Sequence, residues 1–209
     1  MNIARILFPV KVLGQGKRIG IWVCGCTRKC PGCSNPELWE RQQKYEISLP
    51  HLEKLIYDIV FVHEVDGFTI TGGEPVEQAK ELSELITFMK SLNEDILMYT
   101  GYSLEELQKN PSDDIKSILA SIAVLIDGKY IEERNTGVLI RGSDNQRIRI
   151  LNPRYKERYE NYLKTAHNQI QNFATTDGVV SVGIHKNSFR KRIIKRIQND
   201  ERCVINDGK

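Results

Sequence analysis

The chain has 209 residues, of which 40% are hydrophobic, 27% charged and 8% aromatic, the composition of an ordinary globular domain with room for a short appendage. Collagen-like, disordered and coiled-coil architectures are excluded, and apolar runs such as residues 122–126 stop far short of the roughly 20 residues that cross a bilayer. The formal charge of +3 is uneven: residues 1–151 carry 18 Lys/Arg against 21 Asp/Glu and residues 152–209 carry 12 against 6, so the basic excess sits in the tail.

Residues 1–10 lack the basic segment, apolar core and cleavage site of a secretory signal, which predicts a cytoplasmic protein with no membrane association. Gly14 and Gly16 mark a turn, and residues 18–23 (RIGIWV) read as a buried strand running straight into a cysteine-rich loop. Leu52, Leu55, Ile56, Ile59 and Val60 recur at helical spacing behind Ser48 as cap and Pro50 in the first turn. Residues 67–71 (GFTIT) form the next strand, followed by a helix with Leu82, Leu85, Ile86 and Met89 on its apolar face. A strand at 96–100, helical material at 103–120 and a strand at 122–126 continue the alternation, which implies parallel strands with helices packed outside. Functional residues then gather in the loops beyond the carboxyl ends of the strands.

Residues 138–140 and 148–151 are apolar pieces around the polar run Arg141–Gln146, which reads as a hairpin loop. Beyond them the tail begins with a helix at 153–166 carrying Tyr155, Tyr159 and Tyr162 along one side as a packing stripe. Two strands at 170–174 and 179–184 follow, with Asp177-Gly178 as the turn between them. Last comes a basic helix with Phe189, Ile193, Ile194 and Ile197 on one face and Arg190, Lys191, Arg192, Lys195 and Arg196 around the rest, a solvated face in its plainest reading.

Four of the five cysteines lie within ten residues, Cys24, Cys26, Cys30 and Cys33 in WVCGCTRKCPGC, and Cys203 stands alone. The odd count and the expected reducing compartment argue against disulfides and for metal ligation by thiolates. Zinc would use all four cysteines, but a second Cys-x-x-Cys pair from a separate hairpin is missing; an iron–sulfur cluster is the competing reading. Cys24 ends an apolar segment and reads as a small buried hydrophobe. Thr71-Gly72-Gly73-Glu74-Pro75 ends the second strand: its glycines remove side chains where backbone approaches a ligand, and Glu74 can accept from an ammonium, although a tight turn entering a helix explains the same residues.

The spacing Cys26-x3-Cys30-x2-Cys33 resembles the signature of the radical S-adenosylmethionine (radical SAM) enzymes, and TGGEP resembles their GGEP motif. Taken in order, GCTRKCPGCSNPELW, TGGEP, YTGY, IDGKY and RGSDNQ resemble the glycyl-radical activases of anaerobic ribonucleotide reductase over about residues 5–151. The resemblance implies an α/β fold, an incomplete (βα) barrel over residues 1–151 with a short basic α+β extension over 152–209. It implies an oxidoreductase in which Cys26, Cys30 and Cys33 hold a [4Fe-4S] cluster whose fourth iron is chelated by S-adenosyl-L-methionine. Electron transfer into the sulfonium gives a 5′-deoxyadenosyl radical, which takes hydrogen from a glycine of the partner glycyl-radical enzyme. By the same resemblance Gly32, Cys33 and Ser34 lie near the adenosyl part, and Gly72, Gly73 and Glu74 face the methionyl amino group. Thr100, Asp127, Lys129 and Asn145 border the cleft, and a flavodoxin- or ferredoxin-type donor supplies the electron.

Two other functions compete. A stand-alone radical SAM enzyme keeps the cofactor and uses the extension to shape a private site for a peptide or small molecule. A zinc-stabilised nucleic-acid-binding module explains the cysteines and basic tail but leaves TGGEP, YTGY and DGKY idle, and its basic run lacks the interleaved aromatics of a stacking platform.

Overall fold

The computed structural model describes residues 1–176, 178–186, 189 and 195. A six-stranded sheet runs in sequence order: β1 (Ile3–Val10), β2 (Arg18–Val23), β3 (Gly67–Gly72), β4 (Ile96–Tyr99), β5 (Val124–Asp127) and β6 (Arg147–Ile150). Strands β2 to β5 are mutually parallel, while β1 and β6 pair antiparallel at the two edges. The sheet does not close into a barrel; β1 and β6 remain its margins.

Three crossovers carry the helices: α1 (Leu49–Val62), α2 (Ala79–Leu92), and the pair α3 (Leu104–Lys109) and α4 (Asp113–Ser121). All four pack on one face. Ile19, Ile21 and Val23 of β2, Phe68 and Ile70 of β3, Ile96 and Met98 of β4 and Leu125 of β5 meet Leu52 and Ile56 of α1, the four apolar residues of α2, Leu107 of α3, and Ile115 and Ile118 of α4. The strands alternate as a pleat requires, so Arg18, Trp22, Thr69, Leu97, Tyr99, Val124 and Ile126 look the other way. Ser48 stands at the α1 N-cap without a side-chain capping bond, and Leu55 is exposed. The helical stretch at 103–120 is two helices because Pro111 interrupts it, and Ser103 with Glu106 forms a complete capping box for α3.

The expected hairpin at 138–151 is absent. Residues 138–140 form a turn in which Ile140 takes positive φ, and β6 pairs with β5 instead. Strand β1 had no separate signal: Arg5 and Pro9 interrupt its apolar run.

The second face of the sheet is covered by the tail. Helix α5 (Lys156–Thr165) places Tyr159 against Leu97, Val124, Ile126 and Ile140, with Tyr155 and Tyr162 alongside, as the tyrosine stripe implies. Its anchor is a buried ionic group: Arg18 donates to Asp95 Oδ1 (3.1 Å), Thr69 Oγ1 (2.7 Å) and the carbonyls of Phe68 (2.5 Å) and Asp95 (2.9 Å), and the Tyr159 hydroxyl donates to Asp95 Oδ1 (2.6 Å). Strands β7 (Ile170–Thr175) and β8 (Gly178–Gly183) form the antiparallel hairpin expected from sequence. The basic helix expected over 189–197 lies outside the described residues except for Phe189 and Lys195. Among the described residues no helix is long and apolar enough to cross a membrane.

Candidate active site

β2 delivers the chain into a loop whose two ends are stitched together. Gly25 N–H donates to the Leu38 carbonyl (2.8 Å) and Cys26 N–H to that of Trp39 (2.8 Å), while Cys33 N–H bonds the Cys30 carbonyl (3.1 Å). Thr27 gives both its N–H (2.7 Å) and its hydroxyl (2.6 Å) to Glu77, fixing the loop to the segment after β3. Cys26, Cys30 and Cys33 consequently line one cleft at the carboxyl end of the parallel strands, with Asn35 N–H directed at Cys33 Sγ (3.4 Å). Burial pushes the Cys26 and Cys33 thiols up, so a metal must displace their protons to bind. Cys24 is separate: it is buried beside Trp22 and Leu38, donates to the Glu40 carbonyl (2.9 Å) and does not line the cleft.

A single zinc ion needs its ligands to converge on one point. A cubane cluster sets a different requirement, because each thiolate takes a different iron and the sulfurs surround a volume instead of a point. Three thiols of one loop facing one cleft fit a [4Fe-4S] cluster with one iron left without a protein ligand.

The TGGEP segment is laid directly on this loop. Gly73 N–H donates to the Val23 carbonyl and Glu74 N–H to that of Gly25, both at 2.8 Å. A Cβ on Gly72 would sit 2.5 Å from the Val23 oxygen, and one on Gly73 would sit 2.3 Å from the Gly25 oxygen. Close approach of the cysteine loop's own backbone is therefore the first reason for the paired glycines, although both also line the cleft. Glu74 bridges the ends of β3 and β4: Oε1 accepts from the Thr100 hydroxyl and Oε2 from Gly101 N–H, each at 2.8 Å. Burial raises its carboxyl to about 7, opposed by those donors and by the charge of Arg28. Arg28 reaches from the cysteine loop to stack over the Tyr102 ring, 4.3 Å from the centroid.

Of the other residues singled out from sequence, Ser34 and Thr100 line the cleft. Gly32 is exposed at the outer side of the loop, with positive φ and Glu132 against it. Asp127, Lys129 and Asn145 are not among the lining residues. Asp127 accepts from Leu104 N–H at the start of α3 (2.8 Å), Lys129 points to solvent, and Asn145 donates to the Lys129 carbonyl (2.8 Å). Their loops instead offer Gly128, Tyr130, Gly142 and Gln146 to the cleft. Sequence reasoning also missed Arg28 and Trp39, both inside the cysteine motif, and the whole of residues 180–185, which line the cleft from β8 and beyond. The first two carried a signal in their nearness to the cysteines; the last carried none.

Comparison with known proteins gives a consistent set of relatives. The family model described as "4Fe-4S single cluster domain" matches residues 12–149. Among curated proteins, the anaerobic ribonucleoside-triphosphate reductase-activating protein of Enterobacteria phage T4 is 33% identical over 152 residues, 71% of this chain and 93% of that one. Proteins of the same name from Vibrio cholerae and Haemophilus influenzae are 32% and 33% identical over 149 residues, each match covering 68% of this chain and 93% of the relative.

Proposed function

Because the chain belongs to the 4Fe-4S single cluster domain family and matches anaerobic ribonucleoside-triphosphate reductase-activating proteins over nearly their whole length, we propose that it is the radical SAM activase of an anaerobic ribonucleotide reductase. It cleaves S-adenosylmethionine reductively and installs a glycyl radical on the reductase. The observation that carries the reading is the meeting, in one cleft, of three thiols from the loop after β2 with Glu74 from the end of β3 and Thr100 from the end of β4.

Cys26, Cys30 and Cys33 would hold the cluster, and Gly72, Gly73, Glu74, Ser34 and Thr100 would receive the cofactor. Bound there, the cluster and S-adenosylmethionine supply one-electron cleavage chemistry. The chain's own residues supply position and shielding. Glu74, held by Thr100 and Gly101 between two strand ends, presents a carboxyl that gains from an ammonium partner because burial makes its unpaired charge costly. Asn35 N–H, aimed at Cys33 Sγ, is placed to tune the potential of a ligating sulfur. Trp22, Leu13 and Tyr99 line the cleft and keep water from the reacting volume.

Four parallel strands in sequence order, with α1 to α4 on one face, support an incomplete (βα) barrel of the radical SAM type. We assign residues 1–151 as the radical unit and 152–209 as an extension, of which α5 and the β7–β8 hairpin pack on the second face of the sheet. The electron comes from a flavodoxin- or ferredoxin-type donor in a reducing, anaerobic cytoplasm.

Anaerobic reconstitution with iron and sulfide followed by EPR tests the reading. The reduced protein is expected to give a [4Fe-4S]⁺ signal that changes when S-adenosylmethionine is added and is lost in Cys30→Ala. A protein that assembles no cluster and retains one tightly bound zinc would overturn it.

A further inference from the structure

After Cys33 the chain makes one short 3-10 turn, Pro36–Leu38, with Asn35 before it and Trp39 after it. Leu38 anchors the turn, fully buried with Trp22 and Cys24. Its carbonyl and that of Trp39 accept from Gly25 and Cys26 N–H, both at 2.8 Å, so the backbone of Trp39 is fixed to the first cysteine of the cleft. The Trp39 side chain then stands in the wall of that cleft together with Cys33.

Trp39 Nε1 is buried, and no oxygen or nitrogen accepts from it. A buried donor left in that state costs about 1–3 kcal/mol, and buried tryptophans ordinarily find an acceptor. The acceptor that this one approaches is sulfur. Cys33 Sγ is faced by the Trp39 side chain and by Asn35 N–H, the latter at 3.4 Å, so the two ends of one turn direct donors at the same atom. A thiol is a weak acceptor and does not complete the bond; an iron-bound thiolate carries negative charge and is a stronger one. Cys26 is also faced by N–H groups, but these belong to the backbone of Arg28 and Lys29. Trp39 differs in being a side-chain donor, which a substitution removes without touching the backbone of the loop.

We propose that Trp39 acts on the cluster through Cys33: its indole N–H donates to the ligating Cys33 thiolate and raises the potential at which the cluster is reduced. The inference rests on the reading in which Cys26, Cys30 and Cys33 hold a [4Fe-4S] cluster. One electron passes from a flavodoxin- or ferredoxin-type donor, which is oxidised, to the cluster, which goes from its 2+ to its 1+ state; no proton moves and no covalent bond forms or breaks. The reduced state has one more negative charge, shared with the sulfurs. A donor aimed at a ligating sulfur therefore stabilises it more than the oxidised state. Shielding by the ring acts in the opposite direction, because keeping water from the sulfur disfavours the added charge. The sign of the change on removing Trp39 Nε1 thus separates a hydrogen-bonding role from a packing one.

The test uses the full-length protein, reconstituted anaerobically with iron and sulfide and kept free of S-adenosylmethionine and reductase. Trp39→Phe retains an aromatic ring and deletes the N–H. In an EPR-monitored titration with titanium(III) citrate, its reduced-to-oxidised ratio at a fixed potential is expected to fall about 3- to 10-fold below wild type, the loss of one hydrogen bond. That is a midpoint lower by about 30–60 mV for a one-electron couple. Protein carrying indole-nitrogen-15 tryptophan gives a second readout. The reduced wild-type cluster is expected to show a nitrogen-15 coupling that persists in Trp22→Phe, which replaces the other of the two tryptophans, and is absent from Trp39→Phe. A midpoint that is unchanged or raised in Trp39→Phe overturns the proposal, as does a wild-type cluster without the coupling or a coupling that vanishes in Trp22→Phe. The wild-type and Trp22→Phe spectra do not depend on Trp39→Phe folding. A wild-type protein that assembles no cluster refutes the metal reading and the proposal with it; a cluster whose midpoint ignores Trp39→Phe refutes the role of Trp39 alone.

Discussion

Asp95→Asn isolates the buried ion pair that anchors the extension. Arg18 and Asp95 are both fully buried, and Asp95 Oδ1 receives Arg18 Nη2 and the Tyr159 hydroxyl together, while Arg158 stands 3.4 Å from Oδ2. Asparagine keeps the shape and one acceptor but leaves the guanidinium charge without an ionic partner. Removing one member of a buried pair costs about 3–5 kcal/mol. Arg18 retains neutral acceptors at Thr69 Oγ1 and the carbonyls of Gln15, Phe68 and residue 95, so the lower figure, about 3 kcal/mol, applies. For a chain of this size that lowers Tm by about 6–12 °C. Urea denaturation of the metal-free protein, with the slope checked for constancy, measures the loss directly. Tyr159→Phe, which deletes only the hydroxyl, is expected to lose about 1 kcal/mol. A loss below about 1 kcal/mol in Asp95→Asn would show that the carbonyls alone satisfy Arg18 and that α5 is held by its apolar face.

Three further outcomes follow from the cleft. Gly73→Ala must push its Cβ against the Gly25 carbonyl, so it is expected to displace the cysteine loop and lower iron per chain after reconstitution, with about 1–3 kcal/mol of lost stability; full iron loading would contradict the close-approach argument. Cys24→Ala is expected to keep the full iron content of the wild type and lose only about 1 kcal/mol, since its thiol serves the core and not the cleft; iron loss would make it a ligand. Glu74 has a folded pKa of about 7 against an ordinary 4.5, so its favourable contribution is complete below pH 4.5 and is lost as pH rises through 7. Between pH 4.5 and 8 that amounts to about 3 kcal/mol in the metal-free protein, read as the difference between the wild type and Glu74→Gln in urea midpoints across pH; parallel pH profiles for the two proteins would refute it.

The parallel core of the fold was legible because each strand from β2 to β5 is a short apolar run and each helix from α1 to α4 has an apolar face or a cap of its own. The chain's margins were harder. Arg5 and Pro9 break the pattern of β1, and residues 138–140 look like a strand only until Ile140 turns into positive φ. At the site, the cysteine spacing and TGGEP identified the two loops that meet, because both are local signals. The resemblance implies Asp127, Lys129 and Asn145 at the border of the cleft, and the residues that line it from those loops are their neighbours Gly128, Tyr130 and Gln146. Placement of residues 180–185 depends on contacts of Gln171 with Pro9 and Lys11 across about 160 positions of sequence, which no local pattern encodes.

Transfer of a radical from the cleft to a protein glycine is tested most directly by combining the reconstituted, reduced chain with S-adenosylmethionine and its anaerobic ribonucleotide reductase and recording the EPR spectrum of the reductase alongside 5′-deoxyadenosine release. The expected result is a glycyl-radical signal on the reductase that appears only when both S-adenosylmethionine and the intact Cys26, Cys30 and Cys33 are present. Release of 5′-deoxyadenosine with no radical on the reductase would contradict it and assign the cleft to a different substrate.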